Sequence, residues 1–471
     1  MDQSAVLDDA SAVWRDDITH TLHDYIAIPA LSPAFDAEWE TNGHIRRAVD
    51  LVADWCRARP IAGLTVDVTD LPGRTPLIVM DIPAFGDGPG DDTVLLYGHL
   101  DKQPEMHGWR DGLGPWTPVV EGDRLYGRGG ADDGYAAFAS LAAIEAVQRA
   151  GGAHARCLVL VEASEESGSP DLPAHLEALA GQVGTPSLVV CLDSGCNDYE
   201  RLWVTTSLRG LAGGTLTVDI LDEGVHSGAA SGVVPSTFRI ARQLLERVED
   251  AATGEISVPE LHVTVPDDRR RLAEETAAAT PAYADRYHFV GDAGPVSVDP
   301  VEQILAHTWR PTLSVVGADG LPPTNRAGNV LRPTTSLQLS FRIPPTCDAD
   351  AALGAIAATL TADPPYGARV TFAGREAGPG WNAPTFSPWL DASLERASKA
   401  AFGAPARAFG EGGTIPFMGM LGQRFPDAQF VITGVLGPDS NAHGPNEYLH
   451  LPTGERLTAA LAMVLHDHAH R

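Results

Sequence analysis

The pattern that most constrains the fold of this chain is a repeated one: short apolar or β-branched runs that break into acid or histidine at their C-terminal ends. TVLLYG leads into His99 and Asp101, CLVLVE into Glu165 and Glu166, and SLVVCL into Asp193. Unbroken apolar runs of four to eight residues, bounded by Gly, Pro and Asp, read as strands covered on both faces. Similar runs lie at 64–68 and 76–82. Helical spacing alternates with them. Trp14, Ile18, Leu22 and Ile26 recur every four residues until Pro29 and Pro33, and Ile45, Val49, Val52 and Trp55 share one face over 41–57. Phe138, Leu141, Ile144 and Val147 do so over 132–150, which Gly151 and Gly152 terminate. This alternation predicts an α/β fold, a mixed sheet flanked by helices, with ligands bound at the C-terminal edge of the strands.

The texture shifts near Ser207. A strand at 214–221, a helix at 235–248, a Pro, Ala and Asp-rich stretch, a strand at 336–343, a helix at 349–360 and a strand at 368–372 predict a separate small α/β sandwich. Helix and strand alternation then resumes, with 428–435 the clearest strand. The chain is therefore divided into a first catalytic part at 1–206, an inserted domain at 207–380 and a second catalytic part at 381–471.

Charge narrows the partners. With 33 Lys+Arg against 62 Asp+Glu, the 471-residue chain carries a formal charge of −29, which works against nucleic acid or an anionic membrane surface as a partner. No window approaches the roughly 20 apolar residues of a membrane span. The N-terminus bears early acid where a secretory signal bears base and an apolar run, so a cytoplasmic location is expected. Cys56, Cys157, Cys191, Cys196 and Cys347 are odd in number and scattered, as reduced thiols are. None forms a CxxC pair, so ligands to any metal should be His, Asp and Glu.

Each acidic cluster has an ordinary explanation when taken singly. His99 and Asp101, two apart on an extended chain, could be a surface pair, although the same spacing lets a carboxylate fix an imidazole tautomer. Asp132 and Asp133 in LYGRGGADDG could cap a helix. Glu165 and Glu166 are harder to dismiss, because neighbouring carboxylates after a buried strand repel unless a cation or proton separates them. With Asp193 and with His443 of the loop ITGVLGPDSNAHGPNEYLH, the set offers oxygen and nitrogen ligands suited to two divalent ions, most naturally zinc.

In order and spacing, YGHLDKQP, YGRGGADDG, EASEESGS, CLDSG, HSG, EGGTIP and NAHGPNE resemble the dinuclear zinc exopeptidases related to carnosinase, the cytosolic non-specific dipeptidases and carboxypeptidase G, a family that also contains acetylornithine deacetylase and succinyl-diaminopimelate desuccinylase. The resemblance covers nearly the whole chain. It implies two divalent ions, most naturally Zn²⁺ with Mn²⁺ and Co²⁺ as alternatives, held by His99, Asp132 and Asp193 and by Asp132, Glu166 and His443. Asp132 would bridge them, and the bond following it would be cis. Asp101 would orient His99, and Glu165 would be the general base for a hydroxide shared by the ions. The inserted segment corresponds to a lid and dimerisation domain. There His226 would stabilise the oxyanion, usually in the partner subunit's site, and Asn329 and Arg342 would hold substrate, with Gly413 and Thr414 of EGGTIP, in the second catalytic part, lining the same pocket.

Two departures stand out. Gly134 and Tyr135 replace the family's usual Lys and Gly, and Arg375, in FAGREAG, stands near where animal dipeptidases carry a second lid histidine. Arg375 could pair with a substrate carboxylate. Asp at 193 tilts the expectation toward dipeptides or short peptides. The alternative is an N-acyl amino acid amidohydrolase using the same ions, and a more remote one is an inactive metal-binding scaffold. Retention of Glu165 beside two ligand sets argues against the scaffold.

Overall fold

Four neighbouring strands run parallel in the first of the two units into which the chain folds, and this decides where their loops emerge. The computed structural model describes residues 1–471, apart from the side chains of Glu376 and Pro416. Unit 1 comprises Met1–Thr206, Ala383–Phe409 and Met420–Arg471. Its sheet runs in the order Thr65–Thr69, Leu77–Ile82, Arg156–Glu162, Thr93–His99, Leu188–Cys191, Gln429–Ile432 and Trp203–Leu208, the last being the strand through which the chain leaves the unit. Arg156–Glu162, Thr93–His99, Leu188–Cys191 and Gln429–Ile432 are mutually parallel. Antiparallel strands flank them, which makes the sheet mixed. Leu188–Cys191 is buried at every position, as expected of a strand covered on both faces.

Register aligns the C-terminal ends. His99 pairs with Glu162, Tyr97 with Cys191, and Ile432 with Cys191. The segments beyond these ends, carrying Asp101, Glu165, Asp193 and His443, therefore leave from one edge of the sheet.

Helices Gln3–Val13, Ala136–Arg149, Pro388–Phe402 and Leu451–Ala469 pack together beside this sheet. The N-terminal helix continues through a wider turn at Trp14–Ile18 into Thr19–Ile26. Trp14, Ile18, Leu22 and Ile26 are all fully buried, and the Trp14 indole donates to Thr458 Oγ1 at 2.8 Å. The helix predicted over 132–150 starts only at Ala136. Before it, Asp132 and Asp133 have non-helical backbones and the bond between them is cis.

Unit 2 comprises Ser207–Asn382 and Gly410–Gly419. Its antiparallel sheet has the order Thr312–Asp319, Thr334–Ile343, Gly210–Asp219, Arg369–Gly378. Burial alternates along Thr334–Ile343, so one sheet face holds the core. Ile240 and Leu244 of Thr237–Leu245, and Ile356 and Leu360 of Ala349–Thr361, fill it together with Leu216, Leu339 and Phe341. The stretch in which periodicity predicts no element contains helices Asp267–Ala279 and Pro300–Thr308 and the edge strand Thr312–Asp319. Asp267–Ala279 buries only Arg269, Ala273 and Thr276, too thin an apolar stripe to stand out in the sequence.

Candidate metal centre and active site

The strand ends of unit 1 bring two groups of ligand-type side chains together. One is His99, Asp132 and Asp193; the other is Asp132, Glu166 and His443; within each, one ligand atom per residue lies within 4.8 Å of the others. Asp132 belongs to both and faces two ways. Its Oδ1 is 3.4 Å from His99 Nε2, and its Oδ2 is 2.9 Å from His443 Nε2. Asp193 Oδ1 lies 3.7 Å from His99 Nε2, and Glu166 Oε2 lies 3.4 Å from His443 Nε2.

The donor set fits divalent cations. His99 Nε2 and Glu166 Oε1 are buried without a hydrogen-bond partner, which is costly for polar atoms unless another ligand satisfies them. Burial, with Asp132 and other carboxylates nearby, holds the Glu166 acid well above its usual range, and burial with Asp193 does the same to Glu165. Burial alone would lower the His99 pKa, but Asp193, Asp101 and Asp132 outweigh it and raise it well above normal. Crowded carboxyl groups and imidazoles that hold on to protons are places where metal cations bind and displace those protons.

Asp101 is fully buried, and both carboxylate oxygens are engaged by backbone. Oδ1 accepts the N–H of Glu165 at 3.1 Å and Oδ2 that of Glu166 at 3.0 Å. The Asp101 carbonyl lies 3.2 Å from His99 Nδ1, while its carboxylate is farther, at 3.5 Å. Asp101 thus holds the Glu165–Glu166 turn as well as facing the imidazole. Below that turn, Glu162 accepts from Tyr97 at 2.6 Å, Ser169 at 2.8 Å and Ser164 at 3.0 Å, and burial raises its pKa to about 7.

The departure at 134 and 135 has a packing reason. A Cβ on Gly134 would lie 2.1 Å from the Tyr25 ring and 2.6 Å from the Gly129 carbonyl. Tyr135 donates its hydroxyl to the Leu192 carbonyl at 2.5 Å, tying the helix start to the strand that ends at Asp193.

Several contacting residues lie inside quoted motifs without a role derived from sequence. Gln103 donates to Glu166 Oε2 at 2.7 Å. Arg128 and Glu447 form a buried ion pair joining the segment before Asp132 to the segment after His443. A charged pair in motifs adjoining two ligand positions was the available signal.

The remaining predicted residues lie in unit 2, in three places. His226 and Asn329 share the short ribbon Val225–His226 with Val330–Leu331, where Asn329 accepts the Ser227 N–H at 2.9 Å, and both residues are exposed. Arg342 donates to Thr414 Oγ1 at 3.0 Å, and that hydroxyl donates to the Arg209 carbonyl at 2.6 Å. Arg209 also donates to the Gly412 carbonyl at 3.2 Å, fixing the loop that carries Gly413. Arg375 is exposed at the bulge of Arg369–Gly378.

Comparison with known proteins bears on these features. The sequence profile of peptidase family M20/M25/M40 matches residues 95–467. The cysteinylglycine-S-conjugate dipeptidase of Corynebacterium striatum is 28% identical over 424 residues, covering 88% of this chain and 89% of the relative. The Cys-Gly metallodipeptidase dug1 of Schizosaccharomyces pombe is 26% identical over 80% of each chain. Among solved structures, human carnosine dipeptidase 1 superposes with a TM-score of 0.77 at 20% identity, covering 100% of this chain and 99% of that one.

Proposed function

Because the chain belongs to peptidase family M20/M25/M40, a family of hydrolases, we propose that it is a metallodipeptidase acting on dipeptides or similarly short peptides. The observation that carries this reading is the pair of ligand groups sharing Asp132, with Glu165 next in sequence to the ligand Glu166. The names of the relatives support the substrate class.

We assign one ion to His99, Asp132 and Asp193 and the other to Asp132, Glu166 and His443, with zinc the natural occupant of such a His and carboxylate set. Two divalent ions, when bound, would supply an acidified water and positive charge for the scissile carbonyl. Glu165 would take a proton from water and pass it to the leaving amine, a role that suits a carboxylate next in sequence to the ligand Glu166. Asp101 holds Glu165 in place. In unit 2, Arg342 and Thr414 are assigned to the substrate's carboxylate, with Gly413 lining their loop. Asn329 and His226 are assigned to the carbonyl oxygen, where a positioned donor is worth roughly 2.7–4 kcal/mol. Arg375 is assigned a secondary role in carboxylate binding.

We further propose a homodimer formed through unit 2. Val315 and Val316 are 49% and 63% exposed on the edge strand Thr312–Asp319, the kind of edge that pairs with another chain. A reducing, cytoplasmic setting is supported by five free, buried cysteines.

The decisive experiment is hydrolysis of Cys-Gly, β-alanyl-histidine and dialanine beside N-acetyl amino acids, with metal analysis of the same preparation. Turnover of dipeptides, lost on chelation and restored by Zn²⁺, is expected. Turnover of the acylated set alone would overturn the assignment, and a monomer of full activity by light scattering would overturn the dimer.

A further inference from the structure

We infer that Arg128 and Glu447 are positioning residues for the second metal group, Asp132, Glu166 and His443, and not for the first; the inference rests on the dinuclear reading above. Arg128 is 1% exposed and Glu447 fully buried, and four hydrogen bonds connect their segments. Arg128 Nη1 donates to Glu447 Oε2, and Arg128 Nη2 donates to the Gly444 carbonyl at 3.0 Å. Glu447 Oε1 accepts the Gly129 N–H at 2.8 Å, and the Glu447 carbonyl accepts the Gly127 N–H at 3.0 Å. A guanidinium fork and both oxygens of one carboxylate thus link 127–129 to 444–447.

The consequence is local because of what each ligand otherwise depends on. His443 immediately precedes Gly444, and its side chain is 55% exposed, with Nε2 2.9 Å from Asp132 Oδ2 and 3.4 Å from Glu166 Oε2. Its backbone lies at φ 62°, and Asp439, Asn441 and Asn446 in the same loop also have positive φ, at 62°, 54° and 61°. Non-glycine residues keep such a conformation only where surrounding contacts impose it. The bonds to Arg128 and Gly129 supply such contacts on the side of Gly444 and Glu447, and the Arg110 N–H donates to Asn446 Oδ1 at 2.7 Å. Asp132 has an anchor that does not pass through the pair, since the His99 N–H donates to Asp133 Oδ2 at 3.3 Å and the Tyr135 hydroxyl to the Leu192 carbonyl at 2.5 Å. His99 sits at the end of an interior strand, and Asp193 follows one, so their positions are set by the sheet. Loss of the pair should therefore free His443 while leaving His99, Asp132 and Asp193 together.

The test is zinc titration of metal-stripped full-length protein, with calorimetry and metal analysis, comparing wild type with Glu447→Gln and with the double variant R128M/E447L. The double variant replaces both charges by apolar groups of similar size, a change that buried ion pairs often tolerate. Wild type should bind two ions per chain. Each variant should keep one class of site at wild-type affinity and weaken the other by about 10–100-fold. Two sites of wild-type affinity in either variant would overturn the inference. So would parallel weakening of both classes, with or without loss of the fold, because the pair would then be a general structural feature. Wild-type protein that takes up no zinc would fail at the earlier step, the dinuclear reading itself.

Discussion

Asp101 Oδ1 accepts the backbone N–H of Glu165 at 3.1 Å, so the fully buried aspartate at one strand end fixes the proposed base at the next. With Oδ2 bonded to the Glu166 N–H at 3.0 Å, two charge-assisted bonds set the turn that carries a base and a ligand. Asp101→Asn retains one acceptor but turns an amide N–H₂ toward one of these donors. We expect kcat/KM for the best dipeptide to fall about 10–100-fold, the usual effect of removing a group that orients metal ligands. Steady-state kinetics check it, and a wild-type kcat/KM would show that the two bonds do not position the turn.

Glu165→Gln separates chemistry from metal binding. The amide fills the same space but cannot take a proton from water, and Glu165 belongs to neither ligand group. Metal content should remain at the wild-type value while kcat drops by about 10²–10⁴-fold. Full activity in this variant would remove Glu165 from the mechanism.

The site was legible in sequence to the extent that its ligands sit directly after apolar strands. The runs ending near His99, Glu162 and Leu192 have unmistakable composition, and parallel register brings the loops after them to one edge. The features that stayed hidden depend on partners distant in the chain. Lys102 stands out in the sequence only as one of two lysines. In the fold it is fully buried, its ammonium donating to the carbonyls of Tyr25 and Ile28 at 2.8 Å and of Ile26 at 3.3 Å, where it caps the end of the N-terminal helix. No local pattern encodes an acceptor so far back in the chain. Asp101 is similar: its i+2 spacing points to His99, whereas its two carboxylate bonds go to Glu165 and Glu166. Gly410–Gly419 likewise groups with unit 2 although the chain around it belongs to unit 1, because Arg209, 203 residues earlier, binds its carbonyl at Gly412.

Gly134 offers a stability test within the same loop. An added methyl would approach the Tyr25 ring to 2.1 Å and the Gly129 carbonyl to 2.6 Å. The ring is itself held, its hydroxyl donating to the Leu100 carbonyl at 2.7 Å, so neither neighbour yields easily. Gly134→Ala should cost about 1–3 kcal/mol through overpacking, read as a lower melting temperature in scanning calorimetry. A change within about 1 °C would mean that the loop relaxes at little cost.

The last prediction concerns acid. His468 of the C-terminal helix is fully buried, with Nε2 2.9 Å from Ser187 Oγ and 3.6 Å from Asp92 Oδ2. Burial, reinforced by the Arg471 guanidinium, outweighs Asp92 and pushes its pKa down to about 4. The unfolded chain, with an ordinary imidazole near 6.5, binds this proton first. Above about pH 6.5 both states are neutral here and the residue contributes no pH dependence. As pH falls from about 6.5 toward 4, the unfolded state alone gains the proton, so stability declines, and the decline ends once the folded imidazole also titrates. The full effect is on the order of 1–3 kcal/mol. Urea midpoints between pH 7.5 and 4.5 should fall in wild type and fall less steeply in His468→Gln, which has no proton to gain. Parallel curves would place the acid sensitivity elsewhere.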